Sequence, residues 1–364
     1  MSRYEARCKR LRSALRRSGA DALLVTSFTN VTYLTGFTGD DSYLLVGPRE
    51  EVLVSDPRYT TQLGDECPGL RVHIRPPGES MFDAVTRVAR SAAVKRLGVE
   101  GDSMSVGLHQ RLAAAMPQAE LSVTDGLVEQ LRLIKDADEI SEIRRAVAQA
   151  EKAFAVVRAG LHREQSEKQV VDSLEMQLRT FGAKCSSFPP IVATGPRAAL
   201  PHAQPTEHTI AESPFVLIDW GADSGLYKSD LTRVLLTGRI PAKFEKIYKV
   251  VLKAQLRAIE AIKPGASCHE VDAVARTVIS QAGFGKYFGH GLGHGIGLDI
   301  HEGPRLARGQ DLQIKPGMVV TVEPGIYLPG FGGVCIEDDV LVTRSGCEVL
   351  TSVEKELADV VAIV

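Results

Sequence analysis

Between Gly289 and Gly297 every second residue is glycine, in the run GHGLGHGIGL, and His290 and His294 fill two of the gaps. Such a run cannot hold a helix, because each of its glycines costs a helix roughly 1 kcal/mol relative to alanine. A period of two is the period of a strand. The run therefore reads as a strand with His290, Leu292, His294, Ile296 and Leu298 on one face. The other face is bare backbone, which lets a neighbour approach closely. A dinucleotide-binding loop is excluded, since no GxGxxG fits the spacing and no helix pattern follows.

Two other stretches place carboxylates in pairs. In FVLIDWGADSGLYKSDLTRVLL, apolar strand-like runs flank ADSG, a hairpin signal. A turn centred on Ser224-Gly225 sets Asp219 opposite Asp230. Opposed like charges destabilise a strand pair unless a cation lies between them. A different register, with one aspartate capping or facing solvent, fits this stretch equally well. In VVTVEPGIYLPGFGGVCIEDDVLVT the turn centres near Gly330, and Glu323 and Glu337 are symmetric about it. A single glutamate is more often a surface residue. Two hairpins, each with an apolar frame and a facing carboxylate pair, point instead to metal. Four carboxylates and one imidazole suit two hard or borderline divalent ions, with Mn²⁺ the best fit to an oxygen-rich set and Zn²⁺, Co²⁺ or Fe²⁺ as alternatives. Two ions roughly 3.5–4 Å apart can make a hydroxide at neutral pH and polarise a carbonyl.

The rest of the chain frames these motifs. Its 364 residues suit two domains. Up to residue 128, the strand-like runs ALLVTS, SYLLVG, EVLVSD and RLGVEG alternate with helical patterns near 3–18, 80–93 and 105–116, which reads as a small α/β domain. The second domain, 129–364, opens with a long helix whose apolar stripe is Ile140, Ile143, Val147, Phe154 and Val157. It then runs twice through helix, glycine turn, helix, glycine and strand, the pattern of an internal duplication. The basic N-terminal stretch carries Tyr4, Cys8, Leu11 and Leu15 at helical spacing, so it reads as a surface helix rather than a transit peptide or a phosphate-binding arm. A net charge of −2 favours neither nucleic acid nor an anionic membrane as partner. No apolar stretch is long enough to span a bilayer. The six cysteines are scattered, without a CxxC pair, and read as free thiols of a cytoplasmic protein.

In order, the motifs TGPRAALPHAQPT, VLIDWGADSGLYKSDLTR, FGHGLGHGIGLDIHEGP, TVEPGIY and GVCIEDDVLVT resemble the pita-bread metallopeptidases, such as aminopeptidase P, prolidase and methionine aminopeptidase. The segments NVTYLTGFTGDDSYLLV and SDPRYTTQ are similar to the creatinase/prolidase-type N-terminal domain. The resemblance implies a creatinase-like α/β domain followed by a pita-bread domain with duplicated halves. It implies a dinuclear-metal hydrolase that cuts between an N-terminal residue and proline. Asp219, Asp230, His294, Glu323 and Glu337 match the ligands, with Asp230 and Glu337 as the bridges. Glu323 also matches the acid/base carboxylate, and His202 matches a histidine that stabilises the tetrahedral intermediate. His290 and His301 match histidines that either stand behind the ligands or face the substrate. A homodimer is implied as well.

Other residues carry no such match. Tyr327 fits core packing or an active-site hydroxyl equally, Arg233 is expected to be an ion-pair partner, and His73, His109, His162, His208 and His269 are expected to be surface or structural. One position departs from the pattern. The family commonly reads GVRIED where this chain reads GVCIED, so Cys335, on the face of Glu337, replaces a guanidinium with a thiol. Two rivals remain beside the peptidase: a metal-independent creatinase-like amidinohydrolase, which the filled ligand set opposes, and a binding protein that kept the fold, which the missing arginine favours. The motifs do not separate dipeptidase from aminopeptidase.

Overall fold

The computed structural model describes residues 2–362. Two compact units divide the chain, Met1–Arg132 and Leu133–Val364, so the division falls at 132/133 where the sequence places it at 128/129.

In the first unit, helix Arg3–Ser18 starts at a Ser2/Glu5 capping box, ends at Gly19 in the left-handed region, and buries Cys8, Leu11 and Leu15. Among the described residues the unit's sheet has six strands, in the spatial order Arg71–Ile74, Glu51–Ser55, Ser42–Val46, Ala22–Val25, Arg96–Glu100, Glu120–Thr124. The sheet is mixed: Ala22–Val25 runs antiparallel to Ser42–Val46 and parallel to Arg96–Glu100. The four inner strands are the ones expected. The two edge strands were not foreseen, and neither alternates cleanly between buried and exposed residues, so the period-two signal is weak there. Helices Met81–Ser91 and Val106–Ala115 fall where expected, and Val85, Val88 and Leu112 join Leu24, Leu97 and Val99 in the core.

The second unit opens with helix Ala137–Ala159, capped by Asp136 and Glu139. Its stripe enters the core through Ile143, Val147, Phe154 and Val157, while Ile140 stays half-buried. Phe154 stacks on Trp220 at 4.2 Å, and the Trp220 indole N–H donates to the Ala150 carbonyl at 3.1 Å. The two halves match. Helices Ala137–Ala159 and Glu167–Thr180 precede three antiparallel strands in which Phe215–Trp220 lies between Ile191–Thr194 and Leu231–Leu236. Helices Ala242–Ala261 and Cys268–Gln281 precede a set in which Val319–Val322 lies between Gly293–Gly295 and Asp338–Val342. Strands Glu302–Leu306 and Cys347–Val349 extend the second sheet at its edges.

The glycine run is less regular than its period suggests. Only Gly293–Gly295 is strand, and a bulge follows His294. With half the side chains missing, little packing holds a longer ladder in register. The close approach it permits is real. A Cβ on Gly293 would stand 2.0 Å from the Thr321 carbonyl oxygen, and one on Gly295 would stand 1.9 Å from that of Gly303. Among the described residues no helix is long and apolar enough to cross a membrane, and all six cysteines are free.

Candidate metal centre

The two hairpins differ in register. The first pairs Asp219 with Thr232, not with Asp230, because its turn centres one residue later than Ser224-Gly225. Asp230 then stands diagonal to Asp219. The register has slipped by two, an even number, so both carboxylates keep the same face. In the second hairpin Val322 pairs with Asp338 and Gly325 with Cys335, the expected register on either side of Glu323 and Glu337.

Asp219, Asp230, His294, Glu323 and Glu337 all line one cavity of about 1110 Å³, and so do His202, His290 and His301. Asp230, His294 and Glu337 offer ligand atoms within 4.8 Å of one another. His294 Nε2 lies 3.7 Å from Asp230 Oδ2 and 3.4 Å from Glu323 Oε1. His294 Nδ1 is 3.0 Å from the Gly295 carbonyl. A carbonyl only accepts, so the proton sits on Nδ1 and the Nε2 lone pair faces the carboxylates.

His290 differs from His294. Its Nδ1 donates to the Gly291 carbonyl at 2.8 Å, and its Nε2 accepts from the Tyr327 hydroxyl at 3.0 Å. Both nitrogens are therefore engaged, and Tyr327 is a cavity residue whose hydroxyl is held by His290. His301 lies edge-on to His294, with centroids 4.5 Å apart. His202 is exposed on the cavity rim. Arg233 is an ion-pair partner as expected, donating to Asp338 at 2.7 Å with both side chains buried. The five histidines without a motif lie outside the cavity lining.

The electrostatics ask for positive charge. Burial pushes the Asp219 carboxyl up to about 7. Burial and then the charge of Asp219 push Glu323 up to about 8. Asp230 and Glu337 are raised well above the usual carboxylate range, first by burial and then by neighbouring carboxylates. Burial lowers His294 to about 4, which keeps its imidazole neutral, as a ligand must be. Asp219 Oδ1 is buried without a hydrogen-bond partner among the described residues. An orphaned carboxylate oxygen and crowded acids are what divalent cations satisfy, so this donor set fits hard or borderline divalent ions.

Sequence reasoning missed the residues that orient this set. Thr232 Oγ1 donates to Glu337 Oε2 at 2.7 Å. Thr321 Oγ1 donates to Glu323 Oε1 at 3.1 Å and accepts from His294 N at 3.0 Å. Each threonine stands two residues from a carboxylate it shares a strand face with, so period two could have found them. Asp339 Oδ2 accepts from Asp230 N at 3.1 Å, and Arg305, the cross-strand partner of His294, also lines the cavity. Cys335 is buried at the cavity wall and its thiol donates to the Glu323 carbonyl at 3.5 Å. Burial, followed by the charges of Glu337 and Glu323, raises that thiol well above its usual range.

The family model described as "Metallopeptidase family M24" matches residues 141–344, and that described as "Creatinase/Prolidase N-terminal domain" matches residues 7–134. The chain is 33% identical over 350 residues to an Xaa-Pro dipeptidase of Pyrococcus horikoshii, covering 96% of this chain and 97% of the relative. A solved Xaa-Pro dipeptidase from Bacillus anthracis superposes with a TM-score of 0.94 at 39% identity, covering 98% and 99% of the two chains. An X-Pro aminopeptidase from Thermotoga maritima superposes with a TM-score of 0.87 at 33% identity, covering 97% and 100%.

Proposed function

The chain belongs to metallopeptidase family M24 and is a metal-dependent hydrolase, and from that premise we propose that it cleaves the bond between an N-terminal residue and proline. The observation that carries the reading is the single cavity lined by four carboxylates and a neutral imidazole with a free Nε2. The specificity for proline rests on the activities of the relatives. Asp219, Asp230, His294, Glu323 and Glu337 would hold two divalent ions, Mn²⁺ by the hardness of the donors, with Asp230 and Glu337 as the ligands that would serve both. Metal bound there would supply an acidified water and a polarised scissile carbonyl.

The chain's own residues do the rest. Glu323 accepts the proton of the attacking water and returns it to the departing proline nitrogen. An Xaa-Pro bond is a tertiary amide, so that nitrogen cannot leave as a neutral amine without a delivered proton. His202, on the rim, donates to the developing oxyanion. His290 and His301 border the substrate, and the Tyr327 hydroxyl fixes the orientation of the His290 ring. Free thiols fit a reducing cytoplasm, and the assembly is taken as a homodimer on family resemblance, which sedimentation would test.

The test pairs metal content with turnover. The holoprotein should hold two ions per chain and cleave Xaa-Pro dipeptides or Xaa-Pro-Yaa peptides, with matched Xaa-Ala peptides much poorer. Cleavage without preference for proline would leave the metallopeptidase standing and overturn the specificity. The preferred peptide length separates dipeptidase from aminopeptidase.

A further inference from the structure

We propose that Glu167, buried behind the loop that carries His202, is a positioning residue: with Arg197 it holds that loop in the conformation that presents His202 to the cavity. The inference rests on the role given to His202 above. Glu167 is the first residue of helix Glu167–Thr180, and its side chain is fully buried. Oε1 accepts from Thr194 N at 2.7 Å and Arg197 Nε at 3.1 Å. Oε2 accepts from Arg197 Nε at 3.0 Å, Thr206 N at 2.9 Å and Thr206 Oγ1 at 2.7 Å. Thr194 and Thr206 flank the loop, so one carboxylate ties both of its ends. Arg197 then spans the loop from inside, donating through Nη2 to the Gln204 carbonyl.

The carboxylate is not needed as a helix cap. Ser166 already caps that helix, accepting from Gln169 N at 3.3 Å while Gln169 reaches back to Ser166 N. Glu167 is free to face the loop, and it outlies the cavity lining. On the opposite side the loop's short helical turn, Gly195–Ala199, lies against strand Gly332–Cys335: a Cβ on Gly333 would stand 2.0 Å from the Ala198 carbonyl oxygen. Between these two supports the tip, residues 200–202, is exposed. His202 is exposed there, whereas Ala198 and Ala203 on either side are buried.

A glutamine at 167 keeps the shape but not the chemistry. It offers one oxygen where two are used, and its amide N–H groups would face the N–H of Thr194 or of Thr206. One end of the loop is then released. A donor displaced by about 1 Å can cost up to 10²-fold in rate, and we expect Glu167→Gln to lower kcat on an Xaa-Pro substrate by about tenfold. Metal content should stay at two ions per chain. His202→Ala should itself cost about 10²–10³ in kcat. In the His202→Ala background, Glu167→Gln should cost less than about twofold, because the group it positions is gone. Equal fold losses in both backgrounds, or an unchanged kcat in Glu167→Gln alone, would overturn the tether while leaving His202 in place. An unchanged kcat in His202→Ala would overturn the role of His202, and the tether's catalytic role with it. Should Glu167→Gln fail to fold, Arg197→Lys runs the same cycle: it keeps the charge beside Glu167 but loses the fork that also reaches Gln204.

Discussion

The difference between His290 and His294 is made by hydrogen bonds, not by sequence position. Both sit between glycines, and both donate Nδ1–H to the next carbonyl. Only His294 leaves Nε2 facing carboxylates, since the Tyr327 hydroxyl takes that of His290. Asp230→Ala should therefore strip metal from the protein, while His290→Ala should lower turnover with metal retained; equal metal loss by elemental analysis would refute the distinction. The side chains were legible from motif and period, but the tautomers were not, because a neighbouring carbonyl leaves no trace in the residue pattern. Cys335 poses the second residue-scale question. Its thiol is buried and donates to the Glu323 main-chain carbonyl, a contact that supports packing over ligation. Cys335→Ser should keep both metal content and metal preference. Cys335→Arg gains space from the cavity and acidic neighbours in Glu337, Glu323 and Asp219, so it should fold with a Tm within a few degrees of the parent. Loss of metal in the serine variant, or a collapsed Tm in the arginine variant, would refute the packing view.

Among the elements, the strands that carry the proposed ligands depend on backbones that nearly touch. Gly293 and Gly295 sit where any Cβ would enter a neighbouring carbonyl. Gly293→Ala must push strand Val319–Val322 away, and with it Thr321, which holds both Glu323 and His294. Overpacking against backbone, which cannot rotate aside, should cost about 3 kcal/mol or more. Thermal melting should show it as a lowered Tm, and metal affinity should fall with it; an unchanged Tm would mean the strands can part freely. Sequence reading found the second hairpin's register and missed the first by two residues. The Gly330 turn is bounded by apolar runs that close symmetrically. In the first hairpin, Ala222–Asp223 leaves to pair with Cys185–Ser186, so the loop length no longer fixes the centre. The even slip kept both aspartates on the cavity face, and so the chemistry was legible although the register was not.

For the whole molecule, four carboxyl groups crowded in one cavity set the stability of the second unit against the supply of cations. Without them the acids stay protonated or repel one another, and Asp219 Oδ1 has no partner among the described residues. The unfolded chain has no preformed site, so ions bind the native state, and a free concentration 100 times Kd adds about 2.7 kcal/mol. The chain's one tryptophan makes this measurable. Trp220 is buried in the second unit, one residue beyond the proposed ligand Asp219, and stacks on Phe154. Its fluorescence reports the melting of that unit and is blind to the first, which contains no tryptophan. Chelation should lower the midpoint of the fluorescence melt and abolish peptide cleavage, and Mn²⁺ should restore both. Asp230→Ala should melt near the chelated midpoint and respond little to Mn²⁺. A fluorescence midpoint independent of metal in the parent protein, with full turnover in chelator, would mean that the carboxylates hold something other than cations.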